Sequence, residues 1–502
     1  MTPGAVLAAG FEYGPQGLHA VGRGGAFTAK ADDASAIFWN PSRLSLLRGT
    51  HLTIGMNMSN LNLTFDRFDA QKRRVLTDAD GNPVYGDPSA DPIGDPVPFE
   101  TARQNAGFFP MGLSLGLVTD FGLEDWAFGI GLNGPAAYGK VGFPSGTTSA
   151  NRYAFEQMDV LVAFASLSVA WKYKEWFGLG ASLQYAMVPN LSYSLTLMGP
   201  ASAGNQNDPV NNINDLRADV DMADWTGFSA IIGAWGRPVE WLELGFSARV
   251  VPVKIKAEGD VRMSGTPNSV FNKEELLPDG STVRTPFGTT IPGRLEFTYP
   301  MSVQLGARYR HVRTDREIFD IEVDFAWEQW SSLDAFVMTT LEENKDMGVA
   351  IDPMKIRLER QWKDTYSVRL GGQWNAIPDW LTVRLGGWWE SASQPVEYTT
   401  LDLPSFDRFG IGAGLSTSIY GFEIGLAYAH VFQMSRTVAE GTGNIRQQLI
   451  GVAADGEGNL TQVVRPGYAV NEGRYTSSFD VVTIGISVDW DRLLKKRKVV
   501  VD

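Results

Sequence analysis

Few side chains in this 502-residue chain have the types and spacing for covalent chemistry. The four histidines, His19, His51, His311 and His430, stand apart from any serine and aspartate that could form a nucleophilic relay. There is no cysteine, which removes thiol nucleophiles, disulfides and zinc thiolate sites. The run Asp78-Ala79-Asp80-Gly81-Asn82 has the acidic spacing of a calcium loop, but Pro83 stands where the turn glycine belongs and no suitable glutamate follows. Gly410, Gly412 and Gly414 imitate a nucleotide loop, yet they alternate with Phe409, Ile411 and Ala413 and no helix follows. No enzyme activity, cofactor or metal is therefore expected, and what remains is the chemistry of binding. Arg249, Lys254 and Lys256 lie around Pro252 and could hold a carboxylate. Val160, Val162 and Phe164 alternate with Leu161, Ala163, Ala165 and Leu167, so both faces of that segment are apolar. Such a patch suits a hydrocarbon ligand or packing against an internal segment. Arg308, Arg310, Arg369 and Arg384 flank the run Asp320, Glu322, Asp324 and read as cross-strand ion pairs, unless one cation is left over for an anion.

These residues need a scaffold, and alternation of period two supplies it. Trp126, Phe128, Ile130 and Leu132 interleave with Ala127, Gly129, Gly131 and Asn133; Phe319, Ile321, Val323, Phe325 and Trp327 interleave with Asp320, Glu322, Asp324, Ala326 and Glu328. A helix would scatter these residues round its circumference, whereas a strand sorts them onto two faces. About fourteen such segments occur, near residues 51–65, 106–119, 124–136, 157–173, 176–198, 222–236, 241–263, 291–311, 316–338, 361–376, 380–392, 406–419, 421–438 and 474–490. Short turns near 174–175, 236–238, 313–315 and 378–379 alternate with long polar loops near 66–105, 137–156, 199–221, 264–290, 339–360, 393–405 and 439–473. No stretch approaches the ~18–20 apolar residues of a spanning helix. The fold class expected is all-β: a 14-stranded antiparallel transmembrane β-barrel, apolar outward and small or polar inward. A large soluble sandwich or propeller is the competing solution, but it gives no reason for connectors that alternate in length. A net charge of −14 argues against nucleic-acid binding. The 54 glycines exceed the usual ~7% share. Many, including Gly129, Gly131, Gly178, Gly180, Gly371, Gly386, Gly412 and Gly425, fall on inward faces, where they leave room in the lumen.

The first fifty residues do not alternate. An irregular backbone cannot face lipid, because its N–H and C=O groups would go unpaired, so this segment is expected to plug the barrel. Its run Gly22-Arg23-Gly24-Gly25-Ala26-Phe27, then Ala31-Asp32-Asp33-Ala34-Ser35-Ala36 and Asn40-Pro41-Ser42, resembles the N-terminal hatch of the FadL/TodX family, outer-membrane transporters of long-chain fatty acids and aromatic hydrocarbons. The likeness extends to Phe109-Pro110, Asn133-Gly134-Pro135, Pro404-Ser405-Phe406-Asp407-Arg408 and Tyr428-Ala429-His430-Val431-Phe432, and so covers nearly the whole chain. Ser42 departs from the alanine usual in the family, a small-for-small change. The expected organisation is a signal-peptide remnant at 1–9, carrying Ala5-Val6-Leu7-Ala8-Ala9; a hatch at 10–50; a barrel at 51–490; and a tail at 491–502 with Leu493-Leu494-Lys495-Lys496-Arg497-Lys498. That tail reads as a periplasmic extension, or as a contact for anionic lipid.

The resemblance implies passive transport of hydrophobic molecules, fatty acids ahead of aromatic hydrocarbons, across the outer membrane of a Gram-negative bacterium. Outer loops would catch the cargo. Phe271, Leu276 and Leu277 are candidates there, on a stretch compatible with a short amphipathic helix, although they could equally form the loop's own small core. Cargo would then meet the lumen residues Val160, Val162, Phe164, Arg249, Lys254 and Lys256, and leave where Asn133-Gly134-Pro135 kinks the third strand. Proline lacks the N–H a ladder needs, so it interrupts pairing or merely ends the strand at the rim. The partners implied are a hydrophobic small molecule and membrane lipid or detergent, with the chain as a monomer. A general porin and a structural or adhesive surface barrel are the alternatives.

Overall fold

Alternating segments become the fourteen wall strands of a closed barrel in the computed structural model. It describes residues 10, 14–68, 99–104, 107–134, 139–146, 149–198, 215–266, 269, 272–278, 281–285, 287–314, 316–341, 355–454 and 460–499. The strands are β1 Thr50–Arg67, β2 Phe109–Thr119, β3 Trp126–Asn133, β4 Gln157–Tyr173, β5 Phe177–Met198 and β6 Asp215–Val239. Four interrupted strands follow: β7 Leu242–Val251 and Val253–Gly265, β8 Gly288–Tyr299 and Ser302–Arg313, β9 Arg316–Glu328 and Ala335–Thr340, and β10 Lys355–Glu359 and Thr365–Ile377. The last four are β11 Leu381–Glu390, β12 Arg408–Ile419, β13 Phe422–Gln433 and β14 Gly473–Asp489. Each is antiparallel to the next. β14 pairs with β1 from His51 and Asp489 to Arg67 and Gly473, which closes the sheet and leaves no edge in lipid.

Strand segments also reach into stretches that the sequence pattern assigns to loops. β6 begins at Asp215 rather than near 222, and hairpins form from Lys273–Leu276 with Thr282–Thr285 and from Arg446–Ala454 with Leu460–Ala469. The upper parts of β6 to β8 carry ions on their outer face, as in the pairs Arg262–Asp221 and Arg294–Glu258. Water rather than hydrocarbon surrounds them, so the apolar row that marks a membrane strand in sequence is missing.

Inside the wall, residues 14–49 form a buried plug with α1 Leu18–Gly22, α2 Ala36–Trp39 and a 3-10 turn Pro41–Leu46. So little regular structure leaves many backbone N–H groups to satisfy, and the inner face of β9 satisfies several of them. Asp324 Oδ2 accepts from the backbone N–H groups of Phe27 and Thr28, each at 2.9 Å, and Glu322 Oε1 accepts from that of Ala29 at 2.6 Å. The Arg23 guanidinium donates to Asp320 at 2.6 Å and to Glu322 at 3.0 Å, all three side chains being fully buried. Lys30 reaches Asp320 and Glu317, Arg43 reaches Glu243, and Arg308 bridges Glu243, Glu317 and Asp320. Charges this deep are tolerated because each has partners of opposite sign.

The wall answers the plug with absent side chains. A Cβ added at Gly116 would stand 2.7 Å from the Ala34 carbonyl oxygen, one at Gly245 2.6 Å from that of Thr28, and one at Gly371 or Gly386 would overlap the Arg23 carbonyl. The plug backbone thus lies directly on the wall backbone, which is where the inward glycines are used. Removing one partner of a buried ion pair costs about 3–5 kcal/mol, since the other is left unpaired. Arg23→Ala is accordingly expected to loosen the plug by about that much while the barrel stays folded. Limited proteolysis within residues 14–49, with heat-modifiable gel mobility as the barrel control, reads this out; a plug as resistant as wild type would refute the anchor.

Candidate functional site

Four neighbouring strands break at one level above the plug. β7 breaks at Pro252, β8 at Pro300-Met301, β9 at the 3-10 turn Trp330–Ser332 and β10 between Glu359 and Thr365. The breaks bend the wall inward and bury Trp330, whose ring packs 5.8 Å from Tyr299 and 5.3 Å from Trp362. This shoulder narrows the lumen between two chambers. The upper chamber, about 1070 Å³ with its open mouth, is lined almost wholly by apolar side chains, among them Val160, Val162, Leu195, Phe297, Phe336 and Met338. The lower one, about 860 Å³, rests on plug residues Gln16, Phe38 and Trp39 and is lined by Asn133, Phe164, Ser247, Arg249, Gln304, Glu328 and Arg369. Above both, a polar mouth of about 1050 Å³ shares Tyr193, Leu195 and Leu358 with the apolar chamber and adds Lys355, Arg357, Arg360 and Asp402.

Two cations govern the lower chamber. Arg249 donates to Gln184 Oε1 and Ser229 Oγ, each at 3.0 Å, and lies over the rings of Phe164 and Tyr299. Arg369 stands over Trp39 at 5.9 Å, and one of its terminal nitrogens is buried without a hydrogen-bond partner. Among the described residues it has no ion pair, unlike Arg308, Arg310 and Arg384, which join Glu243, Glu317, Asp320 and Glu423. The expectation of a wall ion pair for Arg369 is therefore corrected: the acids of β9 are taken up by the plug and by Arg308.

The expected lumen residues part company. Val160 and Val162 line the apolar chamber, and Phe164 and Arg249 the polar one. Lys254 and Lys256 do not face the lumen. They are exposed on the outer side of β7, while Val253, Ile255 and Ala257 are buried. Pro252 interrupts the ladder without changing the alternation, so the lysines fall on the face opposite to Arg249. Leu276 is exposed on the outer hairpin, away from the chambers, and Leu277 donates its N–H to the Ser281 carbonyl at 2.8 Å. The described residues there form a strand rather than a helix: Lys273–Leu276 pairs with Thr282–Thr285, with Glu274 opposite Arg284. Phe271 and Pro135 lie outside the described residues, as do residues 1–9 and Asp78 to Pro83.

Among the described residues, β3 pairs with β2 and β4 up to Asn133, and Lys140–Gly142 pairs with β4 beyond it. At the margin, Gly134 donates to the Leu113 carbonyl at 3.2 Å, and the buried Asn133 Oδ1 has no partner among the described residues. Pro110, Gly139 and Leu161 border this interval and line the chamber, and Leu161 is also 50% exposed on the outside. One side chain therefore touches both the lumen and the bilayer face.

In the plug, Gly24 and Gly25 adopt φ of 61° and 82°, and Gly22 and Gly24 abut the backbones of Gly414 and Gly387. Asn40 Oδ1 accepts from Ser42 Oγ at 2.6 Å, and its amide donates to the Thr28 carbonyl at 2.8 Å; Pro41 opens the 3-10 turn. Asp32 and Asp33 both approach His19 Nδ1, at 3.1 and 3.3 Å.

The sequence model for outer membrane protein transport proteins of the OMPP1/FadL/TodX type matches residues 2–463. The chain belongs to that family. A Neisseria meningitidis serogroup B protein named as an outer membrane protein, NMB0088, is 22% identical over 88% of this chain and 90% of its own length. Among solved structures, a Pseudomonas aeruginosa FadL homologue aligns with a TM-score of 0.66 at 17% identity, over 96% of this chain and all of the other. The Pseudomonas putida toluene transporter TodX aligns with a TM-score of 0.63 at 15% identity, over 96% and 99%. This FadL/TodX member is thus an outer-membrane transport barrel, and its connectors orient it, short turns to the periplasm and long loops outward.

His19 ties the plug to the opposite wall through Glu423 at 2.9 Å. Burial disfavours its imidazolium, as does Arg384, yet Glu423, Asp33 and Asp32 outweigh both and raise its pKa from 6.5 to about 9. A pKa raised by folding adds stability that is complete below the ordinary value and is lost as pH rises through the folded one. The plug is therefore expected to weaken between pH 7 and 10 by about 3 kcal/mol, the worth of such a shift. Protease resistance of the plug should fall across that range in wild type and stay flat in His19→Asn; an equal decline in both would sink the assignment.

Proposed function

We propose that this transporter moves long-chain fatty acids passively, through the apolar chamber and out sideways into the membrane. The observation that carries the reading is the apolar chamber, bordered by Leu161 and Pro110 beside Asn133, where the described pairing of β3 ends. Its lining is almost wholly apolar, as hydrocarbon requires. A greasy cargo that leaves between β2 and β4 never enters water, whereas the route straight down meets a polar chamber and a plug held by buried ions. In this reading Val160 and Val162 contact the acyl chain, Asn133 and Gly134 belong to the exit, and Arg369, which has no ion pair among the described residues, receives the carboxylate with Arg249 beside it. The rings of Phe297, Phe336 and Tyr193 in the upper chamber favour a second cargo, a monoaromatic hydrocarbon. TodX, named a toluene transporter, and CymD, named a monoaromatic hydrocarbon channel, share the fold.

Two variants separate these readings. Arg369→Gln is expected to weaken oleate binding roughly ten- to hundredfold, the worth of a charged hydrogen bond, and to leave methyl oleate and toluene unaffected. Equal binding of oleate by variant and wild type would remove the fatty-acid assignment. Leu161→Glu places a charge in the exit without touching the plug, and should cut uptake of oleate into cells about tenfold or more while the barrel stays heat-modifiable. Unchanged uptake would overturn the sideways route, and a large steady conductance of wild type in planar bilayers would favour a porin instead.

A further inference from the structure

On the side of the barrel away from the proposed β3 exit, the lipid-facing wall carries a shallow open groove that the transport route does not use. Leu370, Trp374, Leu385 and Ile411 form its ridges and are 54–64% exposed. Gly372 and Gly387 form its floor. Both belong to glycine pairs whose first members, Gly371 and Gly386, face inward and are demanded by the Arg23 carbonyl of the plug. The second members face outward and have separate causes. A Cβ at Gly372 would overlap the Asp320 carbonyl, so crowding within the sheet accounts for it. A Cβ at Gly387 would approach the Gly410 carbonyl to 3.0 Å, a tight contact within the sheet, and would meet nothing of the plug, so the plug gives no reason for the missing side chain. Its effect is felt outside, as a slot in an otherwise ridged apolar wall.

The height of the slot identifies what can fill it. Its lower end is marked by Trp374, with the exposed Trp380 beside the short turn Pro378-Asp379. Short turns lie on the periplasmic side, and tryptophan gathers where hydrocarbon meets headgroups. From the turn at Ile377 to Leu370 the strand climbs seven residues, roughly 23 Å along a tilted path at ~3.3 Å per residue, which keeps the slot within about one leaflet. The rods of hydrocarbon available at that level are the acyl chains of periplasmic-leaflet glycerophospholipid. We infer that the groove over Gly372 and Gly387 is a seat for one such chain, held by dispersion contacts with the four ridge residues and distinct from the cargo path.

Native mass spectrometry of the purified barrel, through stepwise delipidation in detergent, tests this. Wild type is expected to retain one glycerophospholipid after the rest is stripped, and an excess of oleate, which competes for the lumen, should leave it in place. Gly387→Leu fills the slot and should lower that retention at least fivefold. Leu385→Ala removes an exposed ridge that supports nothing inside, and should lower it about threefold even if Gly387→Leu folds poorly. Loss of the lipid to oleate, or retention unchanged in folded variants, would overturn the site. A wild-type mass of two chains that falls to one in Leu385→Ala would show that a second copy occupies the groove, and would overturn it equally.

Discussion

The structure depends on three carboxylates set on the inner face of one strand. Asp320, Glu322 and Asp324 alternate inward on β9 and meet a plug segment that has almost no secondary structure of its own. A buried backbone without helix or sheet needs acceptors for its N–H groups, and buried carboxylates need donors and cations. Each answers the other: Phe27, Thr28 and Ala29 donate their N–H groups, and Arg23 and Lys30 bring the charge. Neither partner would be stable alone at that depth.

Two features of the wall follow. Where the plug backbone lies on the barrel there is no space for a Cβ, so glycine recurs strand after strand at the level of residues 18–45. On the side of β2 to β5 the contacts are of another kind. Ala34 and Ile37 pack on Gly116, Gly129 and Gly131, and the Ile37 carbonyl accepts one hydrogen bond from Ser182. The plug is pinned by ions to β7, β9 and β13, and is held to β2 through β5 chiefly by packing.

Above the plug, backbone breaks shape the lumen more than side chains do. Pro252 and Pro300 sit on adjacent strands at one height, and together with the breaks in β9 and β10 they turn the wall inward at Trp330. The lumen is divided into an apolar chamber bordered by Pro110, Gly139 and Leu161 and a polar chamber that ends on the plug. A hydrophobic molecule in the upper chamber thus has an apolar border on one side and a desolvation cost below.

Most of the architecture is legible in the residues. Alternation of period two defines the strands, connector lengths define the two ends, and the non-alternating first fifty residues can only be inside, because backbone left unpaired in lipid costs several kcal/mol per group. Parity alone also separates Arg249 from Lys254 and Lys256, once Pro252 is read as a pause in the ladder rather than a shift of register. The aligned prolines were a visible signal for the shoulder. The tertiary structure alone decided which of the lumen arginines near β9 form ion pairs among the described residues. Arg308, Arg369 and Arg384 have the same sequence signature, and their fates differ because the plug takes up the acids of β9 and Glu423 turns to Arg384 and His19. It likewise decided where water replaces lipid along a strand. Both depend on partners brought together from hundreds of residues apart, and local pattern carries no record of such pairings.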